Sequence, residues 1–119
     1  MTLAVSALGP SLEDRVDERF GRAHYLLFVD EQDGTLEAVD NTTNRNALQA
    51  AGIATAELVS DRGATAVITG HLGPKAFAAL GAAGIPGYDG SGMTVREALD
   101  RFVEGGLRKL DEAGEAHQG

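Results

Sequence analysis

The run Tyr25-Leu26-Leu27-Phe28-Val29 is apolar at every position. A strand with one wet face would alternate, so this one has to be covered on both sides. Asp33-Gly34 follows as a strong hairpin signal, and Leu36 to Asp40 returns as a third strand. Before it, Thr2 to Ala7 reads as a strand, Leu8 to Arg22 as a long polar loop broken at Gly9-Pro10, and Ala23 to Asp30 as the second strand. The first third of the chain is predicted to be a β-meander.

The remainder alternates helix and strand. Leu48, Ala51, Thr55, Leu58 and Val59 share one helical face, and Gly52 on that face would let the helix lie close to a sheet. Ala64 to Thr69 reads as a buried strand. Gly73-Pro74 opens a second helix with Phe77 and Leu80 inward, and Gly84 suits the left-handed position after its end. Ile85 to Tyr88 is predicted as a short edge strand, because Pro86 cannot donate a ladder hydrogen bond. Thr94-Val95-Arg96-Glu97 is a capping box, with Val95, Ala98, Leu99, Phe102 and Val103 as the apolar stripe behind it and Gly105-Gly106 as its end. The expectation is an α/β fold with a mixed five-stranded sheet, a meander followed by β-α-β-α-β-α. With 119 residues, 43% of them hydrophobic, the chain can build one core and not two. Residues 1–110 are read as one domain, and 111–119 as a flexible tail with too little apolar material to be held.

Topology places the loops. If the meander is antiparallel and helix crossovers keep the later strands parallel to the first, loops 8–22, 41–47, 70–75 and 89–94 share one rim. Ligands of open α/β sheets sit at such a rim. On it are Arg15, Arg19, Arg22, Arg45, Lys75 and His71, the backbone around Gly21, Gly70 and Gly73, and the amides of Asn41 and Asn44. Those five Arg and Lys stand against 10 in the whole chain, whose formal net charge is −8. That balance disfavours sequence-independent binding to nucleic acid or to an anionic membrane, and an anion site has to be local. Glu13, Asp14, Asp17 and Glu18 lie in the first of these loops and offer the plainer alternative, pairing with the arginines and solubility. His71, flanked by Gly70 and Gly73 before a helix N-terminus, can reach a bound ligand or make a structural hydrogen bond. His24, at the head of a strand, reads as an edge histidine, and His117 falls in the tail.

Catalysis finds no support. G-x-S-x-G, the P-loop, G-x-G-x-x-G and H-E-x-x-H are all missing, and T-L-A-V-S-A supplies no carboxylate for a two-metal nuclease. Zero cysteine rules out disulfides, Cys-ligated zinc and thiolate-bound iron–sulfur clusters. The opening M-T-L-A-V-S-A has no basic n-region, and no apolar run approaches the ~20 residues of a membrane span, so a cytoplasmic, non-enzymatic protein is expected.

The runs V-D-E-R-F-G-R-A, D-N-T at Asp40 to Thr42, and I-T-G-H-L-G-P-K-A-F-A-A-L-G-A-A-G-I resemble the dinitrogenase iron–molybdenum cofactor biosynthesis family, which includes NifX and the carboxyl-terminal domain of NifB. G-P-K-A-F with T-V-R-E-A further on is similar to the orange proteins of sulfate-reducing bacteria. The resemblance spans Thr2 to about Phe102. It implies a ribonuclease H-like three-layer α/β/α fold without the nuclease site, and the binding or carrying of a metal–sulfur cluster. For orange proteins that is a molybdenum–copper sulfide cluster held without covalent attachment; the wider family implies an iron–molybdenum–sulfur cluster or its precursor. The implied partners are a cluster-receiving protein or a cell-division or regulatory protein, and the alternative is a metal-free interaction module of the same fold that binds a protein partner or a small anion. The matched blocks name Arg19, Phe20, Gly21, Arg22, Asn41, Thr42, Gly70, His71, Gly73 and Lys75 as cluster-binding residues, with His71 as the candidate metal ligand. Several family members carry histidine immediately before Phe-Gly, where this chain has Arg19, so capture by charge is expected there in place of ligation.

Overall fold

In a computed structural model, residues 1–47 and 50–111 are described. The elements run β1 (Thr2–Ala7), β2 (Tyr25–Asp30), β3 (Leu36–Asp40), α1 (Thr42–Arg45), α2 (Ala51–Asp61), β4 (Ala64–Thr69), α3 (Pro74–Ala82), β5 (Gly87–Asp89), α4 (Val95–Val103) and β6 (Arg108–Lys109). They form one six-stranded sheet in the order β3-β2-β1-β4-β5-β6. β1, β4 and β5 are mutually parallel, while β2, β3 and β6 pair antiparallel to their neighbours.

The apolar run of β2 is accounted for by a layer on each face. Leu26 and Phe28 join Ala4, Val67, Ala56, Val59, Ala76 and Leu80 in the core under α2 and α3. Leu27 and Tyr25 join Val5, Ile68, Val95 and Ala98 under α4. Alternate residues of one strand thus feed two cores, which is the physical reason that every position is apolar. The three-layer α/β/α arrangement matches the expectation.

Several local expectations hold. Gly34 and Gly84 take φ of 74° and 72°, the left-handed turn and C′ conformations. Pro74 occupies the first turn of α3, and Thr94 and Glu97 make both bonds of the capping box.

Other expectations are corrected. The sheet has six strands, not five, because α4 ends at Val103 and the chain returns through Gly105 (φ 76°) to place β6 on the outside of β5. β5 runs from Gly87 to Asp89 and is not an edge; Pro86 contributes its carbonyl, which accepts from the Val67 N–H at 2.9 Å. Gly52 does not make way for the sheet: a Cβ there would meet the Ala76 methyl of α3 at 3.1 Å. Val103 is 70% exposed and outside the stripe. Leu48, assigned to the α2 face, and all of the expected tail except Asp111 lie outside the described residues. Among the described residues no helix is long and apolar enough to cross a membrane.

Candidate functional site

The carboxyl ends of β1, β3, β4 and β5 draw the four loops onto one rim. Loop 8–22 doubles back along β1 through an Ala7–Val16 bridge, and the Val16 N–H donates to the Met93 carbonyl at 2.9 Å. Val95 and Arg96 N–H groups donate to the carbonyls of Asp14 and Leu12 in turn, and Arg15 Nη2 donates to the Gly92 carbonyl at 2.9 Å. The same loop then passes over the end of β4, where Arg19 pairs with His71. Gly70 is what permits this crossing: a Cβ there would lie 2.5 Å from Glu18 Cβ and 2.6 Å from its Cα. Arg22 and Arg45 exchange bonds, Arg22 Nη1 to the Arg45 carbonyl and Arg45 Nε to the Arg22 carbonyl, each at 3.2 Å.

Beneath the crossing lies a buried polar knot. Ser6, the penultimate residue of β1, donates its hydroxyl to the Asp17 carbonyl and shares a hydrogen bond with the Thr69 hydroxyl, 2.7 Å in each case. Asp17 itself is 2% exposed. Its Oδ1 accepts the Arg19 N–H at 3.1 Å and lies 3.5 Å from Arg19 Nε, while Oδ2 accepts the His24 N–H at 3.3 Å and lies 3.4 Å from His24 Nδ1. Reading Asp17 as a solubilising surface acid is therefore corrected. The signal that locates it is local: an Asp two residues before an arginine can cap that N–H as an Asx turn.

The expected binding residues divide into two groups. Arg19, Arg22 and Lys75 are exposed on the rim. Phe20, in contrast, is fully buried with Ala23, Leu26 and Leu72, so it anchors the loop from below. Gly21 is a packing glycine, since a Cβ would come within 2.7 Å of the Gly52 backbone N. Asn41, 1% exposed, spends its amide on the Ala23 carbonyl, Thr55 Oγ1 and Asn44. Thr42 turns to Asp40, and its hydroxyl and N–H hold the Asp40 carboxyl below the ordinary range. Gly73 is the N-cap of α3, which has no side-chain cap. His71 stands at the same place, with Nε2 buried and without a hydrogen-bond partner.

Among the described residues no group of three or more His, Asp or Glu side chains is arranged to hold a metal ion. The rim therefore offers charge, amide N–H groups and one orphaned imidazole nitrogen, a set suited to an anion and poor at chelating a bare cation. At its far side Asp89 is partly buried, which pushes its carboxyl up. Hydrogen bonds from Ser91 and the Arg108 guanidinium at 3.0 Å outweigh that and hold it down. A separate apolar groove of about 370 Å³, lined by Leu72, Phe77, Leu80, Ile85, Pro86 and Leu110, runs along the flank between α3 and β5–β6.

Comparison with known proteins identifies the family and the fold. Residues 1–105 match the family described as dinitrogenase iron-molybdenum cofactor. An uncharacterized protein of Methanocaldococcus jannaschii is 30% identical over 105 residues, covering 86% of this chain and 88% of that one. The apo form of the orange protein from Desulfovibrio gigas superposes with a TM-score of 0.92 at 41% identity over 96% of both chains. A putative NifB protein from Thermotoga gives 0.78 at 27% identity, over 96% of this chain and 97% of that one. These matches bear out the resemblance drawn from the loop sequences, and the chain belongs to the dinitrogenase iron–molybdenum cofactor family.

Proposed function

We propose that this protein binds and carries an anionic metal–sulfur cluster on the rim, as a carrier and not as a catalyst. The observation that carries the reading is the buried, unpartnered His71 Nε2 just before the N-terminus of α3, which has no side-chain cap, with Arg19 bridged to His71 and exposed Arg22 and Lys75 in the same loop and the first turn of α3, in a chain of net charge −8. A sulfide-bridged polyanion brings its own sulfur and needs no thiolate from the protein. Guanidinium, ammonium and amide N–H groups meet its charge. Family membership supports a cluster as cargo, and the orange protein, 41% identical, was solved as an apo form, as suits a dissociable ligand. The likeness of G-P-K-A-F and T-V-R-E-A to orange proteins favours molybdenum and copper with sulfide, and a protein that receives the cluster is the partner such a carrier requires.

Reconstitution tests this. Copper and tetrathiomolybdate added to the apo-protein should yield a coloured species that survives desalting, with molybdenum and copper in fixed ratio to protein. Loss of all colour on the sizing column refutes the reading. Retention of an iron–molybdenum–sulfur precursor in place of the copper cluster would move the cargo to the wider family's chemistry.

A further inference from the structure

Asp17 serves two groups at once, Arg19 through Oδ1 and His24 through Oδ2. The carboxylate cannot leave, being 2% exposed, whereas the Arg19 and His24 side chains are 47% and 44% exposed and can. A carboxylate in so dry a place needs a counter-charge, and losing one costs far more there than at a surface. Arg19 is also the rim cation that an incoming anion attracts. The two demands on one guanidinium conflict, and His24 is placed to resolve them.

We propose that Asp17 is the positioning residue of the rim and that it exchanges partners when an anion is captured: Arg19 turns outward to the anion, and His24 takes up one proton from water to replace it. No covalent bond changes; solvent supplies the proton at Nδ1, and on release it returns to solvent as Arg19 swings back. The charged groups facing the imidazole agree with this direction. Asp17 stands at 3.4 Å, Asp40 at the end of β3 is close enough for the two charges to act on each other, and the cation that shares Asp17 with the imidazole, Arg19, is the group that leaves. Because capture then takes up a proton, acid favours capture and base favours release. The inference rests on the rim being the anion site, but its central step is testable without any ligand.

The experiment follows the His24 ring signals by NMR at about pH 6.5. Arg19→Gln imitates the departed guanidinium, and His24 Hε1 should move downfield toward the imidazolium position. Asp17→Asn combined with Arg19→Gln should cancel the movement, which a merely structural role for Asp17 does not predict. In the wild-type protein, copper and tetrathiomolybdate should move the same signal in the same direction. Cluster retention should fall between pH 6.5 and 8 by at most tenfold per pH unit, the limit for one linked proton. His24→Gln should flatten that dependence. An unmoved His24 signal in Arg19→Gln, or cluster uptake without a His24 response, overturns the exchange. A His24 response in Arg19→Gln with no cluster bound by the wild type supports the exchange and overturns the cluster reading alone.

Discussion

Replacing Gly21 by alanine adds one carbon where three backbone atoms already stand. The new Cβ would lie 2.7 Å from Gly52 N, 2.8 Å from Gly52 Cα and 3.0 Å from Ala51 C, all in the first turn of α2. No side chain can rotate away, so either α2 retreats or the Asp17–Arg22 segment lifts. Both movements pull on the Gly21 carbonyl, which accepts from Thr55 Oγ1 at 3.4 Å, and on the Asn41 amide that donates to the same hydroxyl. Overpacking of this kind costs about 1–3 kcal/mol. A domain of this size loses about 4 °C in Tm per kcal/mol, so a fall of about 4 °C or more is expected. The assay is thermal unfolding followed by circular dichroism, with Gly81→Ala run beside it. Gly81 lies exposed on α3 with nothing within 4 Å of an added Cβ, so alanine there should stabilise by about 0.5–1 kcal/mol. A Gly21→Ala midpoint equal to wild type, or the two substitutions moving the same way, would refute the reasoning.

Three further outcomes are expected. Ala at Arg22 or at Lys75 should each weaken cluster retention about tenfold or more, the scale of a charge-assisted hydrogen bond, while the thermal midpoint stays near wild type. Raising ionic strength should lower retention, since charges in an open rim are screened over roughly 8 Å at physiological salt; a salt-independent affinity would point to ligation through His71. The Thr94 backbone N–H and hydroxyl hold the Glu97 carboxyl below its ordinary range. Because the folded value is depressed, the stability Glu97 contributes is complete above the ordinary carboxylate range and lost as pH falls through the folded value. Wild type and Glu97→Gln should thus differ at pH 7 and converge in acid, as read by thermal unfolding.

How much of this was legible in the sequence depended on how local each cause is. The β2 run, the Asp33-Gly34 turn and the Thr94–Glu97 box are decided within a few residues, and all three stand as expected. β6 escaped because Arg108-Lys109 carries no apolar pattern; what holds it is Leu107 packing toward the α4 layer and Leu110 toward the other, a pairing visible only once both layers exist. The convergence of four loops on one rim followed from strand direction alone. The role of each residue there did not: Asp17 and Glu18 are chemically alike and adjacent, yet the crossing over Gly70 buries the first and leaves the second exposed. Phe20, Gly21 and Asn41, expected to face a ligand, are taken up by the interior for the same reason, since the loop has to be fastened before it can present anything.

That fastening bears on the entropy of capture. Phe20 sits between Arg19 and Arg22 as a plug in the core, and Asp17 clamps the backbone just before it, so the main chain that carries both guanidinium groups is immobilised by folding itself. Backbone ordering, about 1–2 kcal/mol per residue, has then been met before a ligand arrives. What remains at binding is the freezing of long side chains, about 0.5–1.5 kcal/mol for each one immobilised. A carrier built this way can release its cargo without loosening its fold. The same loop is ready to accept again as soon as the side chains swing free.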